Sequence, residues 1–243
     1  MMQVAFRPLP LLSVVCAVLF AALMALGIWQ LERLSWKRAL IATVTDRIAA
    51  PPVTLDSALA LGAGAQYRRV RLVGRFDNAK KAYVFGTGVE GAPVFHVIVP
   101  FVDGGRVMLV DRGIVPRDLI ARSLRSRGLI NGRTVVVGVW RAPDPAGTFT
   151  PKPDLSRRIW YSHDVVGIAR ADDIRLAAPI IVEADATPNP GGWPKGGQTR
   201  VNFRNEHLQY AITWFLLAAG LLAIYFAYHV SRGRLTLSSK DRA

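Results

Sequence analysis

Two apolar stretches without a single charged residue lie near the two ends of the chain, at 9–30 and 208–228. Each holds about twenty residues, the length that a helix rising about 1.5 Å per residue needs to cross about 30 Å of hydrocarbon. Roughly 175 residues of ordinary mixed composition separate them, enough for one domain with a hydrophobic core. The sequence therefore predicts a globular domain held to a membrane by one helix at each end.

The first apolar stretch lacks the features of a cleaved signal peptide. It is longer than the usual 7–15 residues, only Arg7 precedes it, and Ala25-Leu26-Gly27 is a poor cleavage site. A helical pattern also continues past it, from Trp29 to Arg38. We therefore predict an uncleaved anchor, and a leader with one arginine and no serine favours a bacterial inner membrane over a mitochondrial one.

The charge of the chain limits its partners. The net charge is +14, from 31 basic and 17 acidic residues, and most of the excess lies between the two apolar stretches. A basic domain at a bilayer favours anionic lipid headgroups, or acidic groups on a ligand or partner, over nucleic acid. The one cysteine, Cys16, lies in the first apolar stretch, which excludes a disulfide and a cysteine-ligated metal site in the domain. The two terminal tails and the domain side of the apolar stretches carry similar numbers of positive charges, so the positive-inside rule does not fix the orientation.

The middle of the chain has the pattern of successive strands joined by short connections. Alternating and β-branched residues predict strands at 67–76, 82–86, 95–101, 106–115, 133–140, 159–161 and 179–183. Asp103-Gly104-Gly105 provides the turn of a hairpin. Short helices are predicted at 56–61, 117–127 and 163–169, and the first long helix ends before Pro51-Pro52. The predicted fold is thus a membrane protein of the α+β class, with two transmembrane helices flanking one mainly antiparallel β domain that has short helices.

One motif and three of the four histidines favour structural roles. Residues 86–91 spell G-x-G-x-x-G, but Pro93 and a strand follow where a dinucleotide site needs the start of a helix. We predict a hairpin connection there and no nucleotide site. We also predict structural roles for His96, inside a strand, and for His163, beside Asp164 at a helix start. His229, at the far end of the second apolar stretch, is predicted to be an interfacial residue without a special role.

His207 stands at the entrance to the second apolar stretch. At about 100° per residue it shares one helix face with Trp214, Ala218, Leu221 and Tyr225. Such a face could hold a planar macrocycle with an imidazole on its metal. An ordinary interfacial histidine beside an aromatic belt of Tyr210 and Trp214 explains the same pattern, so both hypotheses stay open on the residues alone.

Alanines repeat at four-residue spacing in both apolar stretches, at positions 17, 21 and 25 and at positions 219, 223 and 227. Small residues at this spacing let transmembrane helices approach closely. If the two helices pack through these alanines, the His207 face points away from the first helix.

Five segments, in order along the chain, resemble the Surfeit-locus-one family of cytochrome oxidase assembly factors. They are 27–37 (GIWQLERLSWK), 67–70 with 74–76 (YRRV and GRF), 112–113 with 115–116 (RG and VP), 160–161 with Asp164 (WY and D) and 204–215 (RNEHLQYAITWF). The first is similar to the family signature G-x-W-Q-x-x-R-x-x-W-K, and the last is the most specific. Asp111 and Ile114 depart from the family pattern, which usually has Asn at the first of these positions and often an aromatic residue at the second.

The resemblance implies an assembly factor for haem–copper cytochrome c oxidase that binds haem a through His207 and delivers it to subunit I of the oxidase. It also implies the organisation: a cytoplasmic tail (1–9), a transmembrane helix (10–30), a periplasmic domain (31–206), a second transmembrane helix (207–229) and a cytoplasmic tail (230–243). Partners would be oxidase subunit I, haem a synthase and membrane lipids, in a bacterial inner membrane. The main alternative is a scaffold for oxidase subunits that binds no cofactor.

The predicted haem a site is built around His207 as the iron ligand, with Trp214 and Tyr210 beside it and with Arg204, Arg33 and Lys37 as partners for the haem carboxylates. We predict that the chain is not an enzyme. A haem-modifying enzyme needs several membrane histidines around one substrate, whereas His207 and His229 lie about 30 Å apart along one helix.

Overall fold

The computed structural model describes residues 2–88, 91–120, 128–144, 146–199 and 205–239. Within these residues lie four α-helices: α1 (Pro10–Ala49), α2 (Leu55–Leu61), α3 (Val165–Ala171) and α4 (His207–Ser231). The strands are β1 (Met2–Phe6), β2 (Val53–Thr54), β3 (Arg69–Phe76), β4 (Ala82–Thr87), β5 (Pro93–Asp103), β6 (Arg106–Pro116), β7 (Thr134–Arg141), β8 (Ile159–Trp160), β9 (Leu176–Ala184) and β10 (Leu235–Ser239). The chain forms two compact units, Met1–Thr43 with Asn202–Ala243 and Val44–Val201.

The first unit is an antiparallel pair of apolar helices. Helices α1 and α4 are each long and apolar enough to cross a membrane. The backbone N–H of Leu9 donates to Nε2 of His229 at 3.4 Å, and the hydroxyls of Ser13 and Tyr225 lie 2.5 Å apart. The start of α1 therefore lies beside the end of α4.

His229 and the two chain ends differ from the sequence prediction. His229 is fully buried, and its Nδ1 donates to the carbonyl of Tyr225 at 2.8 Å, so this imidazole is a structural link and not an exposed interfacial group. Strands β1 and β10 pair antiparallel, with Phe6 opposite Leu235. No strand was predicted in either terminal segment.

The alanine repeats do not form the contact between the helices, since all six alanines are exposed. The buried alanines of α4 are instead Ala211 and Ala218, each 1% exposed. They follow His207 by four and eleven positions and share its helix face. A Cβ on Gly27 of α1 would also lie 2.5 Å from the ring of Phe215. The helices thus pack through the His207 face, and the prediction that this face points away from α1 is wrong.

The second unit is built on an eight-stranded sheet in the order β2-β3-β7-β9-β6-β5-β4-β8. The pairings β2–β3, β4–β8 and β6–β9 are parallel and the others are antiparallel, as predicted for the greater part of the domain. Strand β3 also pairs with β5, where Arg75 lies opposite Val102 and Phe76 opposite Phe101. This pairing closes β3, β7, β9, β6 and β5 into a ring.

The ring has an apolar interior. All five strands contribute alternate residues to one buried cluster that includes Leu72, Phe101, Val110 and Trp140, as expected when side chains alternate between the two faces of a strand. A second cluster covers the outer face of the sheet. It joins Ile98, Leu109, Ile181, Trp160 and the apolar side of α3.

Most local predictions for this unit are confirmed. Thr54 caps α2 by accepting a hydrogen bond from the N–H of Ser57, and β5 and β6 form the predicted hairpin. The helix predicted at 117–127 begins as a short 3-10 turn at Arg117–Ile120, and its remainder lies outside the described residues. The expected hairpin connection at 86–91 does follow a strand, β4, but positions 89 and 90 are likewise not described.

Candidate functional site

The imidazole of His207 is held by a residue of the other apolar helix. Nδ1 of His207, the first residue of α4, lies 2.8 Å from Oε1 of Gln30 in α1. An amide oxygen only accepts hydrogen bonds, so Nδ1 carries the hydrogen and donates it. The second ring nitrogen, Nε2, is then the one with a lone pair, the form in which imidazole binds a metal.

Trp214 lies two turns further along α4, close to the same helix face. Its indole nitrogen Nε1 is buried and has no hydrogen-bond partner within the described parts of the chain, and the same holds for the amide oxygen of Asn205. A buried polar group without a partner costs about 1–3 kcal/mol. Two such groups, two positions before His207 and seven positions after it, fit a site where a ligand supplies the missing partners.

The other predicted site residues have different surroundings. Tyr210 is 51% exposed, and the guanidinium of Arg33 lies 4.1 Å from the ring centre of Trp36. Lys37 is half-buried. Arg33 and Lys37 follow Gln30 along α1 by three and seven positions, which places them near its helix face. Arg204 lies outside the described residues.

Contacts within the chain already occupy part of the predicted face, most of all towards its end. The hydroxyl of Tyr225 is bonded to Ser13, and Ala218 is buried. The prediction that the face from His207 to Tyr225 could hold a macrocycle is therefore wrong for its second half. The residues left for a ligand are His207 with Gln30, Trp214, and the cations Arg33 and Lys37.

A second group of polar side chains lies in the β-rich unit, and the sequence did not predict it. Nδ1 of His96 in β5 lies 2.7 Å from Oδ2 of Asp111 in β6, and Nε2 of His163 lies 3.8 Å from the same oxygen. The backbone N–H of Gly113 donates to the other carboxylate oxygen at 2.8 Å. Burial disfavours the charged form of Asp111, but the two imidazoles outweigh it and hold the pKa of this carboxyl well below its usual range.

A β-bulge lies next to Asp111 in the pairing of β5 with β6. His96 pairs with Ile114 and Ile98 pairs with Asp111, so Arg112 and Gly113 together lie opposite the single residue Val97. An extra residue of this kind redirects neighbouring side chains. The sequence predicts a separate structural role for each histidine, because no local pattern links positions 96, 111 and 163. An Asp directly after the apolar run of β6 was the one available signal.

The fold defines the class of the protein. It is a chain with one β-rich unit encoded between two helices that are each long and apolar enough to cross a membrane, and the second helix begins with a histidine. The family model described as the SURF1 family matches residues 17–219. Similar proteins named Surfeit locus protein 1 come from Takifugu rubripes (34% identical over 232 residues, 87% of this chain and 94% of the relative) and Mus musculus (34% over 231 residues, 87% and 74%). The relative of that name from Homo sapiens is 34% identical over 218 residues, 83% of this chain and 72% of its own length. The chain belongs to the SURF1 family, which confirms the resemblance seen in the sequence.

Proposed function

We propose that this chain binds haem a through Nε2 of His207 and delivers it to subunit I of a haem–copper oxidase during assembly. The family is known for cytochrome oxidase assembly factors, which supports a role in oxidase assembly. The hydrogen bond from His207 to Gln30 carries the more specific proposal. It fixes the ring tautomer and orientation, as the outer partners of metal-binding histidines usually do.

Each remaining site residue has a distinct task in this proposal. Trp214 forms an apolar wall whose buried N–H can donate to the ligand. Arg204, Arg33 and Lys37 bind the haem carboxylates, and Tyr210 covers the exposed edge. When bound, the haem would supply an iron for redox chemistry, and Nε2 of His207 would be the atom that holds it. The chain itself holds and releases the group and catalyses no reaction, so we expect no conversion of haem o to haem a by the purified protein.

A scaffold without cofactor is the second candidate. The end of the His207 face favours it. Ala218 is buried there and Tyr225 is bonded to Ser13 of α1, so this part of the face offers no room to a ligand. The scaffold would hold oxidase subunits and, because it binds no pigment, would be colourless. The visible spectrum of the purified protein separates the two candidates.

The test uses protein purified from cells that make haem a and from cells that make only haem b. We expect haem a bands in the first preparation, at about one haem per chain. Haem b in the second preparation would show a site selective for the macrocycle and the iron, not for the side groups of haem a. A colourless protein from the first cells would leave the scaffold as the function.

We propose a topology with both tails in the cytoplasm and the β-rich unit in the periplasm of a bacterial inner membrane. Alkaline phosphatase is active only outside the cytoplasm, so a fusion at the C-terminus is expected to be inactive. The control is a fusion after Gly147, in the segment between β7 and β8, which should be active. The opposite pattern of activities would reverse the topology.

Gln30→Leu is expected to weaken haem binding by about 10–100-fold, the usual effect of removing an outer partner of a metal-binding histidine. Gln30→Glu keeps an acceptor for Nδ1 and should retain binding with shifted bands. Gln209→Leu is the matched control, since Gln209 is an exposed glutamine of the same apolar pair. Haem titration followed by absorbance measures all three affinities. Equal affinities for Gln30→Leu and Gln209→Leu would exclude a positioning role for Gln30.

A further inference from the structure

The group formed by His96, Asp111 and His163 has the chemistry of a metal site that is separate from the proposed haem site. We propose that it binds a divalent transition-metal ion, Zn²⁺ or Cu²⁺, through Nδ1 of His96, Oδ2 of Asp111 and Nε2 of His163. One carboxylate and two imidazoles suit these ions, and no thiolate is present to favour Cu(I).

The two distances to Asp111 fit an ion after small side-chain movements. The three ligand atoms lie within 4.8 Å of one another. Bonds of about 2.0–2.1 Å in a tetrahedral site put neighbouring ligand atoms about 3.3 Å apart. The 2.7 Å between His96 and Asp111 must therefore widen, and the 3.8 Å between His163 and Asp111 must shorten, each by about half an ångström.

Two further contacts prepare the group for an ion. Gly113 donates to Oδ1 of Asp111 and so fixes the carboxylate while its Oδ2 faces the imidazoles. Nε2 of His163 is buried but has no hydrogen-bond partner in the described residues, since 3.8 Å is too long for a hydrogen bond. A buried nitrogen without a hydrogen-bond partner is unexpected if the group has only a structural role. A bound ion would supply its partner.

The histidine side chains are partly exposed, although Nε2 of His163 itself is buried. The side chains of His96 and His163 are 19% and 21% exposed, whereas that of Asp111 is 4% exposed. A cleft of about 180 Å³ lies beside His96 and is lined by Thr87, Gly88, Arg141, Glu183 and Gln198, among others. Three protein ligands leave one coordination position, which water or a small ligand from this cleft can take.

The test is a Zn²⁺ titration of the full chain, purified in detergent with a tag that contains no histidine and stripped with a chelator. We expect one ion per chain with a Kd of about 1 µM or below, and weaker binding at pH 5.5 than at pH 7.5 because protons compete for the imidazole nitrogens. Cu²⁺ should displace Zn²⁺, in keeping with the usual order of affinities. A Kd above about 100 µM would overturn the proposal.

His163→Asn and Asp111→Asn test the ligands. Loss of a direct ligand should raise the Kd by at least about 100-fold, since outer partners alone contribute 10–100-fold. Asp111→Asn keeps an oxygen for the N–H of Gly113 and serves as the conservative variant. X-ray absorption of the Zn²⁺-loaded wild-type protein gives an answer even if a variant misfolds. Two imidazoles and oxygen ligands support the site, and any other ligand set contradicts it.

The His207→Ala protein is the matched control, because it loses an imidazole from the other unit. It should bind one Zn²⁺ with the wild-type affinity. Equal loss of Zn²⁺ binding in His207→Ala and His163→Asn would mean that the ion binds elsewhere. The haem spectrum of His163→Asn should be that of the wild-type protein, so the metal proposal and the haem proposal fail or succeed separately.

Discussion

Replacing His207 with alanine is expected to abolish the haem a spectrum of the purified protein, with a fall in haem affinity of at least about 100-fold. The change removes the only proposed bond to the iron and leaves the side-chain amide oxygen of Gln30 without its donor. His207 is the first residue of α4 and is half-buried, so the helix itself should still form. Absorbance of protein purified from haem a-producing cells measures the effect, and the yield of membrane-inserted protein shows that folding is intact.

Two other variants show whether the loss belongs to this site. Trp214→Ala removes a wall of the site and not the iron bond, so it should weaken binding or shift the bands without abolishing them. His163→Asn removes an imidazole from the β-rich unit and should leave the spectrum unchanged. A fully occupied haem site in the His207→Ala protein would exclude His207 as the ligand.

Gly74→Ala is expected to lower the free energy of unfolding of the β-rich unit by about 3 kcal/mol, the upper range for an overpacked position. A Cβ at position 74 would lie 1.8 Å from the carbonyl oxygen of Val102 and 3.0 Å from the ring of Phe101. The first of these atoms is backbone, so no change of rotamer can relieve the clash. Strands β3 and β5 would have to separate where they close the ring.

Unfolding in urea, followed by tryptophan fluorescence, measures the loss. Gly64→Ala is the matched control, since the nearest atom to its added Cβ lies 4.0 Å away, and we expect a change within about 0.5 kcal/mol. Equal stabilities of the two variants would mean that β3 and β5 are not in close contact at this point.

The sequence was sufficient for the features that depend on local patterns. The length of the two apolar stretches without charged residues predicted α1 and α4. The alternation of apolar and polar residues predicted most strands within a few positions. The closure of the ring was not predicted, because pairing of β3 with β5 depends on which strands meet in three dimensions and leaves no periodic signal. The alanine repeats were misleading for a related reason. Spacing shows which residues share a face, but the bulk of Phe215 against Gly27 decides which faces meet.

The candidate sites show the same limit. His207 was found because a histidine at the entrance to an apolar stretch is unusual, and Gln30 lies within the matched segment 27–37. Their hydrogen bond was not predicted, since 177 positions separate them. His96 and His163 each have an ordinary local context. The pairing of β5 with β6 and the position of the turn before α3 bring them to one carboxylate.

The separation of Gln30 from His207 sets a timetable for the growing chain. At about 5–20 residues per second, the ribosome needs roughly 10–35 s to make the 177 positions between them. During that interval α1 exists without its partner, while the strands of the β-rich unit are already being synthesised. The two-helix site is thus among the last parts of the molecule to form, so a nascent chain cannot capture a ligand there before its β-rich unit has been made.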